Sequence, residues 1–121
     1  MKYPSRRIER DQSIIDQLKT KFKEVIDLTH FESSNQALEG KGSLVVDHRN
    51  KRFFCALSQR AHIEVVNELL EKWNSISSEP YTVMTFKAYD TRGEVVYHTD
   101  CVMTLLENHA VICLEAIRDE K

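Results

Sequence analysis

Leu38-Glu39-Gly40-Lys41-Gly42-Ser43-Leu44-Val45-Val46-Asp47 sets an acid and two glycines at the head of an apolar run. A second apolar run, Phe53-Phe54-Cys55-Ala56-Leu57, follows after His48-Arg49-Asn50-Lys51-Arg52. The intervening stretch is polar and turn-prone, so the two runs predict a β-hairpin. Glycine has no Cβ, which lets the backbone come close to whatever Glu39 faces. One later stretch has the same character, Val95-Val96-Tyr97-His98-Thr99-Asp100. Glu39, His98 and Asp100 are therefore the candidate site residues, expected to meet in space.

Downstream of the hairpin, Ser58 is expected to cap a helix running to about Trp73. Its apolar stripe is Ile63, Val66, Leu69, Leu70 and Trp73, with Glu64, Asn67, Glu68, Glu71 and Lys72 on the solvated side. Residues 74–80 read as a linker. Residues 81–88 read as a strand with apolar side chains on both faces, as inside a covered sheet. Thr91-Arg92-Gly93-Glu94 turns the chain into a strand over 95–98. A final hairpin pairs 101–106 with 110–117 across Glu107-Asn108-His109.

Upstream, Ile14, Ile15, Leu18 and Phe22 fall at helical spacing, with Asp11 as N-cap and Lys19, Lys21 and Lys23 near the C-terminal end. Residues 25–28 are expected as a short strand and 29–37 as a polar loop. Residues 1–10 read as an extended, exposed entry. The order is α-β, then β-β-α-β, then β-β. One complete unit thus stands between two half units, in a single α/β domain over residues 1–121.

The 17 Lys and Arg nearly balance the 19 Asp and Glu, for a net charge of −2. Such a balance gives no field to attract nucleic acid or an anionic membrane. No apolar run approaches the roughly 20 residues that span a bilayer, and Met1-Lys2-Tyr3-Pro4-Ser5-Arg6-Arg7 lacks the apolar core of a secretory signal. Three cysteines are an odd count, suited to thiols in a reducing, cytoplasmic setting. Cys55 and Cys113 are expected as strand core fillers, and Cys101, directly after Asp100, as a packing residue, with a thiolate near His98 as the alternative. His98 and Cys101 stand at a metal-like separation, but no second pair backs them, so no metal site and no cofactor is expected. His30, His48, His62 and His109 read as surface residues.

The segments Leu38 to Asp47, Ala56-Leu57-Ser58-Gln59-Arg60, Tyr97-His98-Thr99-Asp100 and Ala110-Val111-Ile112-Cys113-Leu114-Glu115, with Arg6-Arg7-Ile8-Glu9-Arg10 ahead of them, resemble the guanidino-modifying superfamily. That superfamily includes arginine deiminases, dimethylarginine hydrolases and amidinotransferases. The chain most resembles the branch of citrulline-utilisation hydrolases and amidinotransferase-like proteins. The resemblance implies a pentein-type five-bladed α/β propeller of β-β-α-β units, of which this chain would supply about two. It also implies that Glu39 grips guanidinium or ureido nitrogens, that His98 is the catalytic histidine, and that Asp100 is the His-X-Asp carboxylate of the deiminases. The closer branch more often has Asn at that last position, and a small residue where this chain has Lys41.

Those residue types suit the chemistry. A guanidinium is planar and fork-shaped, so a carboxylate binds it bidentately and with orientation. Its cleavage proceeds through attack of a thiolate on the central carbon, with histidine carrying the proton to the departing amine and later activating water. In the family that thiolate comes from a cysteine near the C-terminus of a longer protein, and none of Cys55, Cys101 or Cys113 matches its position. The expectation is a truncated hydrolase, inactive alone. The alternative is a non-enzymatic, homo-oligomeric module whose open sheet edges pair with another copy.

Overall fold

The computed structural model describes residues 1–118. Its middle is the β-β-α-β unit that the hairpin signal predicts. Strands β1 (Val45–Asp47) and β2 (Arg52–Ala56) pair antiparallel, with Val45 opposite Phe54. Helix α2 (Ile63–Ile76) then carries the chain across to β3 (Thr82–Phe86), which pairs parallel to β2 with Phe53 opposite Val83. A parallel partner cannot be reached by a tight turn, which is why a helix separates the two strands. The sheet order is β1-β2-β3.

The core lies between this sheet and α2. Cys55, Ala61 and Val66 are buried, with Leu38, Leu44, Leu57 and Val83 packed against them. Phe53 stacks on Tyr81 at 5.1 Å and meets Trp73 edge-on at 5.5 Å, closing the far end with an aromatic cluster.

Several elements differ from expectation. Helix α2 is capped by His62, not Ser58, because the Ser58 hydroxyl donates to the Tyr97 carbonyl and accepts from the Arg60 N–H. It packs Val66 and Trp73 of the expected stripe, buries Val65 as well, and leaves Ile63 exposed. Strand β3 is an open edge rather than a covered strand, with Met84 half exposed. Residues 25–28 form no strand, and over 95–98 the pairing is reduced to an isolated bridge of Val95 to Tyr89 and a hydrogen bond from the Val96 N–H to the Ala88 carbonyl.

Outside the middle unit, helix α1 (Gln12–Lys21) begins as expected, Asp11 accepting a hydrogen bond from the Ser13 N–H. The expected loop contains a 3-10 turn, Thr29–Ser34. The entry also coils, as Pro4–Glu9, and is tied down: the Met1 ammonium and Arg10 hydrogen-bond Glu32, and Arg7 lies 3.4 Å from it. The last hairpin pairs β4 (Met103–Leu105) with β5 (Ala110–Ile112), and a 3-10 turn at Leu114–Ala116 replaces the rest of the expected strand. Cys113 is consequently exposed, as is Cys101, and only Cys55 fills the core. Among the described residues no helix is long and apolar enough to cross a membrane.

Candidate functional site

Two short 3-10 turns, Lys41–Ser43 and Thr99–Cys101, face each other at the rim of the middle unit. The first follows Glu39 and the second follows His98, so their contact brings the two side chains together. Gly40 precedes the first turn with φ of +55°, a conformation that glycine adopts without strain. His98 Nε2 stands 3.8 Å from Glu39 Oε2. That separation is an ion-pair distance, too long for a hydrogen bond. His98 Nε2 is buried and has no hydrogen-bond partner among the described residues.

Glu39 is only 9 % exposed. The Lys2 backbone N–H donates to Oε1 at 2.6 Å, and Arg60 Nη1 approaches Oε2 at 3.6 Å. The Arg60 guanidinium also lies over the Tyr97 ring at 4.3 Å and near the Tyr3 ring at 5.3 Å. A carboxylate beside two aromatic faces is an arrangement that holds a planar cation.

Asp100 lies on the second turn and is exposed; a Cβ built on Gly42 would stand 3.2 Å from its Oδ2. Its structural neighbour is therefore the glycine loop, on the His98 side of the site.

Beneath these groups runs a buried polar chain. Thr99 Oγ1 donates to the Ser43 carbonyl at 2.6 Å and accepts the Ala56 N–H at 2.8 Å. Ser43 Oγ in turn donates to the Glu39 carbonyl at 3.0 Å and accepts the Glu39 N–H at 3.1 Å. Sequence reading missed Lys2, Tyr3, Ser43, Arg60 and Thr99. Ser43 and Thr99 flank the singled-out residues Gly42 and His98, and that adjacency was the available signal.

Cys55 and Cys101 both lie where a thiol keeps its proton. Burial pushes the Cys55 thiol up to about 11. Partial burial, and then the charge of neighbouring Asp100, raise Cys101 as well. A nucleophilic thiolate needs the opposite environment, a nearby positive charge. Among the described residues no cluster of His, Cys, Asp and Glu could hold a metal ion.

An α/β chain with a carboxylate and an imidazole converging at a guanidinium-holding corner fits the guanidino-modifying class of proteins. A family model described as N,N dimethylarginine dimethylhydrolase, eukaryotic, matches residues 1–121, and the chain belongs to that family. No curated protein and no solved structure matches it.

Proposed function

We propose that this chain carries the substrate-side half of a guanidino-modifying hydrolase site and turns over no substrate alone. In this reading Glu39 receives the guanidinium or ureido nitrogens, His98 is the proton carrier, and Asp100 is a second carboxylate for the ligand. The observation that carries it is the buried Glu39 carboxylate facing the unpartnered His98 Nε2 at 3.8 Å. A ligand nitrogen between them could give Glu39 a hydrogen bond while its departing amine took a proton from His98. Arg60 supports the ligand class, because a guanidinium already rests against Glu39 and Tyr97.

The missing group is the nucleophile. Cys55 is sealed in the core, and Cys101 sits beside a negative charge rather than a positive one. By the resemblance, the elements present correspond to about two β-β-α-β units of a pentein-type propeller. Within the superfamily we favour the citrulline-utilisation and amidinotransferase-like branch, on the Leu38 to Ser43 and Tyr97 to Thr99 segments. We assign the chain to the cytoplasm on its cysteine usage.

The test is a titration of the purified chain with arginine, methylated arginines and citrulline, followed by NMR, alongside assays for ammonia, citrulline and ornithine. Weak binding that is lost in Glu39→Gln, without product, is expected. Turnover abolished by Cys101→Ser but kept in Cys55→Ser would overturn the missing-nucleophile reading. Absence of any binding to the wild-type chain would overturn the site itself.

A second reading, a homo-oligomeric interaction module, is favoured by one observation. Helix α1 and its C-cap leave Ile14, Leu18 and Phe22 at 55, 45 and 59 % exposure. Copies pairing through that face and the open β3 edge would cover it. Sedimentation at micromolar concentration checks this, and a strict monomer would count against it.

A further inference from the structure

We propose that Thr99 is a positioning residue of the site, and that its hydroxyl holds the His98 imidazole against the backbone of Gly42 beside Glu39. The inference deepens the reading above, since it says what fixes the proton carrier. It rests on that reading only for the purpose of the site.

Thr99 and Ser43 are fully buried polar residues, each 0 % exposed. Buried hydroxyls are as a rule hydrogen-bonded, and these two join three segments in series: β2, the His98 turn and the glycine loop. Ala56, the last residue of β2, donates its N–H to Thr99 Oγ1, and Thr99 donates onward to the Ser43 carbonyl. Ser43 then exchanges two hydrogen bonds with the Glu39 backbone. The chain begins on a paired strand in the core, so the glycine loop and the His98 turn are both referred to a rigid element.

Gly42 supplies the second, independent observation. A Cβ at that position would stand 2.7 Å from His98 Nδ1 and 3.2 Å from His98 Cγ. Its φ is not in the left-handed region, so glycine is required there for space and not for backbone conformation. The imidazole thus lies directly on the loop backbone, with Nδ1 on the Gly42 side and Nε2 toward Glu39. By tying the Ser43 carbonyl, the Thr99 hydroxyl holds the loop at that distance.

A hydroxyl serving stability alone would change the melting temperature and leave His98 where it is. A positioning hydroxyl moves the ring. Thr99→Val keeps the shape and removes the oxygen, leaving the Ser43 carbonyl and the Ala56 N–H buried without a partner. Thr99→Ser keeps the oxygen.

Two readouts at His98 decide the matter: the nuclear Overhauser contact between its ring and the Gly42 Hα protons, and its rate of acylation by diethyl pyrocarbonate relative to exposed His30. Thr99→Val should abolish the contact and raise relative acylation roughly fivefold, the factor equivalent to one lost hydrogen bond of about 1 kcal/mol. Thr99→Ser should retain the contact. Gly42→Ala should also abolish it with the hydroxyl intact. A Thr99→Val protein that melts earlier but keeps both readouts would overturn the proposal. Should Thr99→Val fail to fold, the same readouts on Thr99→Ala decide: an unmoved His98 there overturns the proposal equally. Arginine titration of the wild-type chain is scored separately, so a chain that binds nothing sinks the proposed function while the His98 readouts still judge Thr99.

Discussion

Helices α1 and α2 carry apolar side chains at the same helical spacing and meet opposite fates. Helix α2 is laid across β2 and β3 and buries Val65 and Val66. Helix α1 buries none of its residues. The difference is not in propensity or capping, since α1 has the better cap, an Asp11 carboxylate on the Ser13 N–H. It lies in the sheet. An apolar stripe says that a helix has a face to bury, and only a neighbouring element decides whether burial happens. The two strand sets repeat the lesson: β2 is flanked on both sides, whereas β5 leaves Val111 exposed.

The contrast is broken most directly at Phe53. Its ring is buried between Trp73 and Tyr81. Phe53→Ala should destabilise the chain by about 3–5 kcal/mol, the usual loss for a truncated core aromatic. Urea denaturation measures it, and a loss below about 1 kcal/mol would mean that the middle unit is not where stability resides.

A smaller effect is expected at Glu32, where the flanking entry is fastened. Burial alone would raise this carboxyl, but the hydrogen bonds from the Met1 ammonium and Arg10 outweigh it and hold it below its ordinary value of 4.5. A carboxyl depressed in the folded state contributes stability above the unfolded value and loses it as pH falls through the folded one. Wild type should therefore exceed Glu32→Gln by about 1–2 kcal/mol near neutral pH. That gap should close as pH drops below 4.5. Melting temperatures taken against pH would show it, and a gap that is constant down to strong acid would contradict the ion-pair account.

The smallest effect belongs to the exposed helix. Leu18→Ser should cost less than about 0.5 kcal/mol in a monomer, because that side chain is already 45 % exposed. Val66→Ser, on the buried helix, is the matched control and should cost several times more in the same denaturation experiment.

How much was readable follows the same division. The hairpin, its parallel partner strand and the Asp11 cap were legible because turn chemistry and a local carboxylate determine them. The convergence of Glu39 with His98 was expected from the glycines beside one and the strand-like run before the other. Residues 25–28 and 95–98 look like strands in composition, yet a strand exists only with a partner, and partners are set by tertiary structure. The start of α2 was misplaced because Ser58 spends its hydroxyl on Tyr97, which lies 39 positions away along the chain. Arg60 was equally hidden: its place beside Glu39 and Tyr97 depends on folding and not on spacing.

Trp73 is the chain's single tryptophan, and it packs against Phe53 and Tyr81 at 5.5 and 5.6 Å. Its emission is therefore a built-in optical gauge of one region. A fluorescence melting curve will register the loosening of the sheet and α2 and remain blind to fraying of α1. Circular dichroism sums over both helices, so any temperature interval between the two traces measures how independently the ends of this molecule come apart.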